Sequence, residues 1–410
     1  MAFEWTAQQD RALMEVSRWM KEPRQQVFKL FGYAGTGKTT LARHFAEGIG
    51  GDVLFGAYTG KAADVMRSKG CEGAQTIHSM IYHTSQMSRK YLVELQTKRR
   101  HTYEAFAEDP AIAIPGDHPE VVALDKQIEL EEEKLKNLKF KLNPEGPAKH
   151  AELIIIDEAS FLGEKISLDL LSYGTKMLIL GDDAQLPPPK GQSYFTSQDP
   201  DVQLTEITRQ AKDSPIIHMA TKVRKKEKLP IGKYGNCRVI AREDILPMDV
   251  MGADQMLVGT HKLRIPTNAR IRELKRYPEQ TPTKGDKIVC LRNDAEVGLY
   301  NGAIWYVDEH HNVDGDTCAL SIRSADGDNF QDVIAHRHYF EERSQELNWY
   351  DKMDAQEFDF GYALTVHKAQ GSQWDSVVVF NQAHKFRQNA HRWLYTGITR
   401  AAEELMVVEM

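Results

Sequence analysis

Gly32-Tyr33-Ala34-Gly35-Thr36-Gly37-Lys38-Thr39 is the stretch that decides the fold. It has the form G-x-x-x-x-G-K-[ST], and its flanks suit it. Val27-Phe28-Lys29-Leu30-Phe31 reads as a strand, and Thr40-Leu41-Ala42-Arg43-His44-Phe45-Ala46 as a helix. Glycines let backbone N–H groups turn inward around phosphate oxygens, and the helix N-terminus adds partial positive charge. Gly32, Gly35, Thr36, Gly37, Lys38, Thr39 and Thr40 therefore form the expected nucleotide cradle. Lys38 would reach the β and γ phosphates, and Thr39 would offer a hydroxyl to Mg²⁺.

Such a loop needs a carboxylate from a neighbouring strand. Leu153-Ile154-Ile155-Ile156-Asp157-Glu158 supplies an apolar run ending in two acids, as a buried parallel strand would. Asp157 is placed to hold the Mg²⁺ shell, and Glu158 to orient and deprotonate the attacking water. The active site is expected at the carboxyl ends of these strands. These two motifs define a nucleoside triphosphatase and leave its task open.

Composition narrows the class. The 410 residues are 41% hydrophobic and 27% charged, which suits two or three globular domains and excludes collagen-like or low-complexity chains. The longest apolar runs are strand-sized, no secretory signal is visible at Met1–Trp5, and a cytoplasmic protein with no membrane partner is expected. Cys71, Cys237, Cys290 and Cys318 lie far apart, which argues against a zinc site or a disulfide framework. The net charge of −7 argues mildly against a polyanion partner. Local clusters oppose that sum: Lys98-Arg99-Arg100, the run from Lys222 to Lys228, and the run from Lys262 to Arg276. Each is ordinarily a solvated helix face, though a groove lined by several would hold nucleic acid.

Further segments follow in a fixed order. They are Ala57-Tyr58-Thr59-Gly60-Lys61, Thr76-Ile77-His78-Ser79, Gly181-Asp182-Asp183-Ala184-Gln185-Leu186-Pro187-Pro188 and Leu204-Thr205-Glu206-Ile207-Thr208-Arg209-Gln210. Then come Leu364-Thr365-Val366-His367-Lys368-Ala369-Gln370-Gly371 and Leu394-Tyr395-Thr396-Gly397-Ile398-Thr399-Arg400. From Gln9 to Arg400 the series resembles the superfamily-one helicases of the B type, the RecD, Pif and phage Dda group. Tyr58 stands where relatives often carry Pro and Gly397 where they carry Ala, and neither change removes a reacting group.

The resemblance implies roles residue by residue. Gln9 is the first choice for reading adenine, with Gln8 second. Gln185 would sense the γ phosphate. Arg209 and Arg400 would reach across a domain cleft and stabilise charge developing on the phosphate oxygens. Thr59, Gly60, Lys61, Thr76, His78, Thr365 and His367 match positions that touch single-stranded DNA. For His78 a satisfied core histidine is the plain alternative.

The implied fold is α/β, with two RecA-like P-loop NTPase domains, each carrying one insertion. Residues 1–81 and 150–200 would form the first domain, and residues 201–283 with 357–410 the second. In relatives the first insertion, here 82–149, holds the element that splits the duplex. Val121, Leu124, Ile128, Leu135, Leu138 and Leu142 recur at three- and four-residue steps, broken by Glu131. That pattern suggests a helix of roughly 30 Å. With Tyr91, Leu95, Tyr103 and Phe106 as the partner face it would make a helical arm; a stripe packed on the parent domain and a β-hairpin pin stay open. The second insertion, 284–356, has strand candidates separated by Asn301-Gly302, Asp314-Gly315 and Asp326-Gly327, which reads as a small SH3-like β-barrel.

The expected function is an ATP- and Mg²⁺-dependent DNA helicase, monomeric, moving 5′ to 3′ on single-stranded DNA and opening forked duplex. Replication or recombination proteins are the expected partners, in a bacterial cell or a phage-infected host. A translocase that strips proteins without separating strands, and an ATP-switched recruitment module, are the alternatives. The short N-terminus favours the compact Dda-like layout.

Overall fold

The computed structural model describes residues 5–82, 86–107, 114–137, 142–188, 192–208, 211–278, 280–294, 297–312, 315–325, 327, 329–348, 352 and 355–410. Two compact units divide it: Met1–Thr76 with Ala151–Met410, and Ile77–His150.

In the larger unit the first sheet contains β1 (Val27–Gly32), β2 (Val53–Ala57), β3 (Gln75–Thr76), β4 (Leu153–Ile156), β5 (Lys176–Gly181) and β6 (Val202–Leu204). Its order is β3-β2-β4-β5-β1-β6, parallel throughout. All four β4 side chains are buried, as an apolar strand covered on both faces requires. Helix Ala7–Met20 starts with a capping box: Thr6 Oγ1 accepts from the Gln9 N–H, and Gln9 Oε1 accepts from the Thr6 N–H. Gln9, Ala12, Val16 and Trp19 form its buried stripe, and Trp19 packs on Phe28 of β1. The expected end of the first domain at residue 200 moves, because Val202–Leu204 pair with Leu30–Gly32 and belong to this sheet.

The second sheet contains β7 (Gly232–Tyr234), β8 (Cys237–Ala241) and β9 (Gln255–Val258). An inserted antiparallel sheet follows: β10 (Lys287–Cys290), β11 (Ile304–Asn312), β12 (Thr317–Ser324), β13 (Phe330–His336) and β14 (Phe358–Phe360), in the order β13-β12-β11-β10-β14. The second sheet resumes with β15 (Ala363–Thr365), β16 (Trp374–Asn381) and β17 (Ala401–Glu409). Its order is β15-β9-β16-β17-β8-β7, parallel except for the β7–β8 hairpin.

Of the inserted strands, β12 alternates strictly. Cys318, Leu320, Ile322 and Ser324 of β12 point inward while their neighbours stay half-exposed. Gly302, Gly315 and Gly327 sit at φ +90°, +92° and +84°, where a side chain would be strained. The outer strands are linked as well: His336 N–H donates to the Gln356 carbonyl at 3.0 Å, and Gln356 N–H to the Ile334 carbonyl at 2.7 Å. The insertion was expected to end at 356. Phe358–Phe360 pair with Ile288–Cys290, so it continues to Phe360.

In the smaller unit, helices Gln86–Ala107 and Pro119–Asn137 pack on each other and run roughly 33 and 28 Å. Leu95, Val121 and Leu124 are buried between them, and the Arg99 guanidinium holds both oxygens of Asp125. Phe106 lies 3.8 Å from the His118 ring, whereas Tyr103 is largely exposed beneath Arg99. The heptad does not run through Leu142, which pairs with Tyr82 in an antiparallel bridge. The side chains of Tyr91, Leu135 and Leu138 lie outside the described residues. Among the described residues, no helix is long and apolar enough to cross a membrane.

Candidate active site

Because β1, β4 and β5 are parallel, their carboxyl ends open on one edge of the first sheet. After β1 the chain turns through Gly35 and Gly37, both near φ +78°, into helix Lys38–Glu47. A Cβ on Gly37 would meet Gln9 Nε2 at 2.7 Å, and one on Gly32 would meet Thr36 Oγ1 at 2.6 Å. The turn has room only for glycine at both positions. Thr36 is wholly buried; its hydroxyl donates to the Tyr33 carbonyl at 2.8 Å, and its own carbonyl accepts from Gln9 Nε2 at 3.0 Å. Gln9 thus has both ends of its amide engaged, one in the capping box and one behind the loop. Gln8 bonds instead to Thr205 and the Glu206 N–H.

Lys38 Nζ donates to the Gly32 carbonyl at 2.6 Å and the Tyr33 carbonyl at 3.3 Å. Thr39 Oγ1 donates to Asp157 Oδ2 at 2.7 Å, joining the helix start to the end of β4. These two oxygen donors suit a hard cation such as Mg²⁺, which binds through one or two carboxylates and substrate phosphates.

Glu158 has a left-handed backbone, φ 53° and ψ 42°, a conformation costing a non-glycine residue about 1–3 kcal/mol. Its N–H donates to Asp157 Oδ1 at 2.8 Å. Burial pushes its carboxyl above the usual range, Arg400 pulls it down and Asp157 adds to the rise. Strain and a perturbed acid beside a phosphate loop are the features of a working group rather than a structural one.

β5 delivers the third element. Asp182 is buried and its carboxyl is raised by that burial, against the pull of Lys38 and of its bonds to Tyr395 and the Ala184 N–H. Gln185 is 6% exposed, and its Oε1 has no hydrogen-bond partner among the described residues.

The second sheet faces these groups. Arg400, after helix Ala390–Ile398, is buried and fixed by three bonds: Nε to the Thr396 carbonyl, Nη1 to the Ser372 carbonyl and Nη2 to Thr399 Oγ1. One cavity of about 320 Å³ is lined by Gly35, Gly37, Lys38, Thr39, Thr40, Asp157, Glu158, Gln185 and Arg400 together. Gly32, Thr36 and Gln9 stand behind its wall. Arg209 lies outside the described residues. Ser372, Thr208 and Asp182 also line the cavity and were given no role from the sequence. Only the place of Thr208 and Asp182 inside quoted motifs, and of Ser372 directly after one, hinted at them.

The residues matched to DNA positions do not line this cavity. Thr59 and Thr365 occupy corresponding places in the two sheets. Each follows a strand and caps the next helix, with Thr59 Oγ1 accepting from the Ala62 N–H and Thr365 Oγ1 from the Lys368 N–H. Gly60 is buried and Lys61 half-buried. The His367 ring lies 5.6 Å from Phe386, and burial lowers its pKa. Thr76 ends β3, while His78 belongs to the smaller unit, 5.7 Å from the Tyr82 ring and lowered by burial. Thr76 pairs with Ala57 and so lies beside the strand end that leads to Thr59, while His78 is described within its own unit.

A phosphate loop, a strand-end acid pair and an arginine from a facing sheet define a P-loop nucleoside triphosphatase of two RecA-like sheets. The model for "AAA domain" matches residues 5–240, and that for "UvrD-like helicase C-terminal domain" matches residues 360–408. The chain belongs to the AAA-domain family, and it is similar to the superfamily-one B-type helicases of the RecD and Pif group. It is 26% identical over 294 residues to the ATP-dependent RecD2 DNA helicase of Deinococcus radiodurans, covering 64% of this chain and 37% of the relative. It is 28% identical over 123 residues to the conjugal transfer protein TraA of Rhizobium radiobacter, covering 30% of this chain and 9% of that one. The chain thus spans well under half the length of these curated relatives. Among solved structures, Bacteroides Pif1 bound to single-stranded DNA aligns over 99% of this chain and 92% of its own, with TM-score 0.52 and 16% identity. Pif1 of Candida albicans aligns over 99% and 94%, with TM-score 0.51 and 18% identity. Those likenesses bear on the fold.

Proposed function

We propose that this chain is an ATP-dependent DNA helicase that moves 5′ to 3′ along one strand and opens forked duplex. One observation carries the reading. Lys38, Thr39, Asp157, Glu158 and Gln185 of the first sheet and Arg400 of the second line a single cavity. A group supplied from the facing sheet makes turnover depend on how the two sheets close, which is what converts hydrolysis into motion.

Lys38 and the loop N–H groups bind the phosphates of ATP, and Lys38 exchanges its carbonyl partners for them. Thr39 and Asp157 would hold Mg²⁺, which neutralises charge on the β and γ oxygens. Glu158 orients the attacking water and takes its proton. Arg400 stabilises charge on the transferring phosphoryl group, and Arg209 is assigned the same task. Gln185 reads the γ-phosphate position through its amide NH2, which can donate to phosphate oxygens, while its unbonded amide oxygen can accept from the attacking water. Gln9 is engaged with Thr6 and Thr36, so as adenine reader it would have to give up one of these bonds.

Thr59, Gly60, Lys61, Thr76, His78, Thr365 and His367 form the proposed DNA path, gripping backbone more than bases, so affinity should be salt-sensitive and sequence-tolerant. The helical unit is the proposed strand-separating arm, and the inserted five-stranded sheet the proposed SH3-like clamp. The four free, buried cysteines suit a reducing cytoplasm, bacterial or phage-infected.

The test is ATP hydrolysis with and without single-stranded DNA, repeated on Lys38→Ala and Arg400→Ala, beside unwinding of a forked duplex. Strong stimulation of the parent, near loss in both variants and strand separation are expected. Lack of stimulation by any nucleic acid would refute the motor. Stimulated hydrolysis without strand separation would point to the protein-stripping translocase.

A further inference from the structure

Helix Ala390–Ile398 belongs to the layer of the second sheet, yet Tyr395 reaches the first. The side chain is 1% exposed. Its hydroxyl accepts from the Ala34 N–H at 2.9 Å and donates to Asp182 Oδ2 at 2.7 Å. The directions are fixed, because the amide can only donate and the single phenolic proton is left for the carboxylate. One residue on, Thr396 Oγ1 accepts from the Leu186 N–H at 2.9 Å, and the Leu186 carbonyl accepts from Gln370 at 3.0 Å. The Thr396 carbonyl in turn accepts from Arg400 Nε at 3.2 Å.

A chain of contacts thus runs from the phosphate loop at Ala34, through Tyr395 and Asp182, to the 181–188 loop, and along one helix to the arginine. Ala34 sits inside the cradle, Asp182 opens the loop that carries Gln185, and Arg400 faces Glu158 in the same cavity. Every link beyond the half-buried one at Ala34 is buried, so none of those is traded cheaply for water. We infer that Tyr395 is the positioning residue that sets the phosphate loop and the 181–188 loop in register with the helix bearing Arg400. This role presupposes the ATP-driven reading above. Tyr395 itself need not touch nucleotide; it fixes where the arginine stands when the two loops move.

Tyr395→Phe keeps the ring in place and removes only the hydroxyl, and Asp182→Asn weakens the same link from the other side; circular dichroism checks the fold of both. For each, the DNA-stimulated kcat should fall at least tenfold while KM for ATP moves less than threefold. In an Arg400→Lys background Tyr395→Phe should cost less than a further threefold, because residues acting as a unit are not additive. An unchanged kcat, or losses that multiply in the double variant, would overturn the role. Deuterium exchange supplies a readout that needs no turnover: Tyr395→Phe should speed exchange in segments 33–37 and 182–188 of the MgADP-loaded protein. No change there overturns the role, whereas a parent that hydrolyses no ATP overturns the helicase reading alone.

Discussion

Thr39 and Asp157, 118 positions apart in the chain, are joined by a 2.7 Å hydrogen bond from Oγ1 to Oδ2. The bond holds the two cation donors together, one at the start of helix Lys38–Glu47 and one at the end of β4. Asp157 is also anchored by the Glu158 N–H on its other oxygen. Asp157→Asn should keep much of the bonding and lose the charge, whereas Thr39→Ala keeps the charge and loses a donor. Both should raise the Mg²⁺ concentration for half-maximal hydrolysis about 10- to 100-fold, the usual effect of disturbing a metal shell. EDTA should abolish hydrolysis in the parent. A Mg²⁺ titration of ATP turnover that overlays for parent and variants would reject these donors.

Much of that site was legible beforehand because its residues must be of fixed type. A phosphate turn admits only glycine at Gly32 and Gly37, and a strand covered on both faces reads as an unbroken apolar run such as Leu153–Ile156. The domain seams were less legible. Val202–Leu204 and Phe358–Phe360 are three-residue edge strands, too short for any period to say which sheet they join. Tyr395 and Asp182 lay inside quoted motifs, but only their meeting 213 positions apart gives them a role. Local pattern carries no trace of such a contact.

Burial and Arg400 act on Glu158 in opposite directions: burial lifts the carboxyl and the guanidinium pulls it back down. Removing the arginine should therefore do two things. The kcat should drop about 10³-fold or more with little change in KM for ATP, as loss of a transition-state charge partner does. The acid limb of the kcat profile should also move to higher pH, because Glu158 then needs a higher pH to become a base. A pH series from 5.5 to 9 on Arg400→Ala decides it. An acid limb that stays put or moves down would separate Arg400 from Glu158.

Gly60 and Tyr300 make a contact whose sign can be reversed by mutation. A Cβ on Gly60 would lie 2.5 Å from two ring atoms of Tyr300 and 2.7 Å from its Cβ. Alanine is the better helix former by about 0.8–1 kcal/mol, so Gly60→Ala alone pits propensity against overlap. Overpacking costs about 1–3 kcal/mol, and the net should be destabilising. With Tyr300→Gly as background the ring and its Cβ are both gone, the overlap goes with them, and Gly60→Ala should stabilise. Urea unfolding of the four proteins measures both signs; destabilisation in both backgrounds would mean that the ring is not the obstacle.

Lys287 should make stability rise with pH. It lies on β10, 5% exposed, with Nζ donating to Gln255 Oε1 at 2.8 Å and to the Asp254 carbonyl. Burial lowers its pKa to about 7, Asp254 resists that fall and Lys275 adds to it. The unfolded chain keeps the ordinary value near 10.5. Between about 7 and 10.5 the unfolded state therefore binds a proton that the folded state has released, and stability grows as pH rises through that window. From pH 7 to 9 the gain from this one group is on the order of 2 kcal/mol. Lys287→Met fills the same space without a titrating group, so the parent should lag behind the variant near pH 6 and close the gap by pH 9. Urea midpoints for the two proteins that run parallel from pH 6 to 9 would show that Lys287 does not titrate in that range.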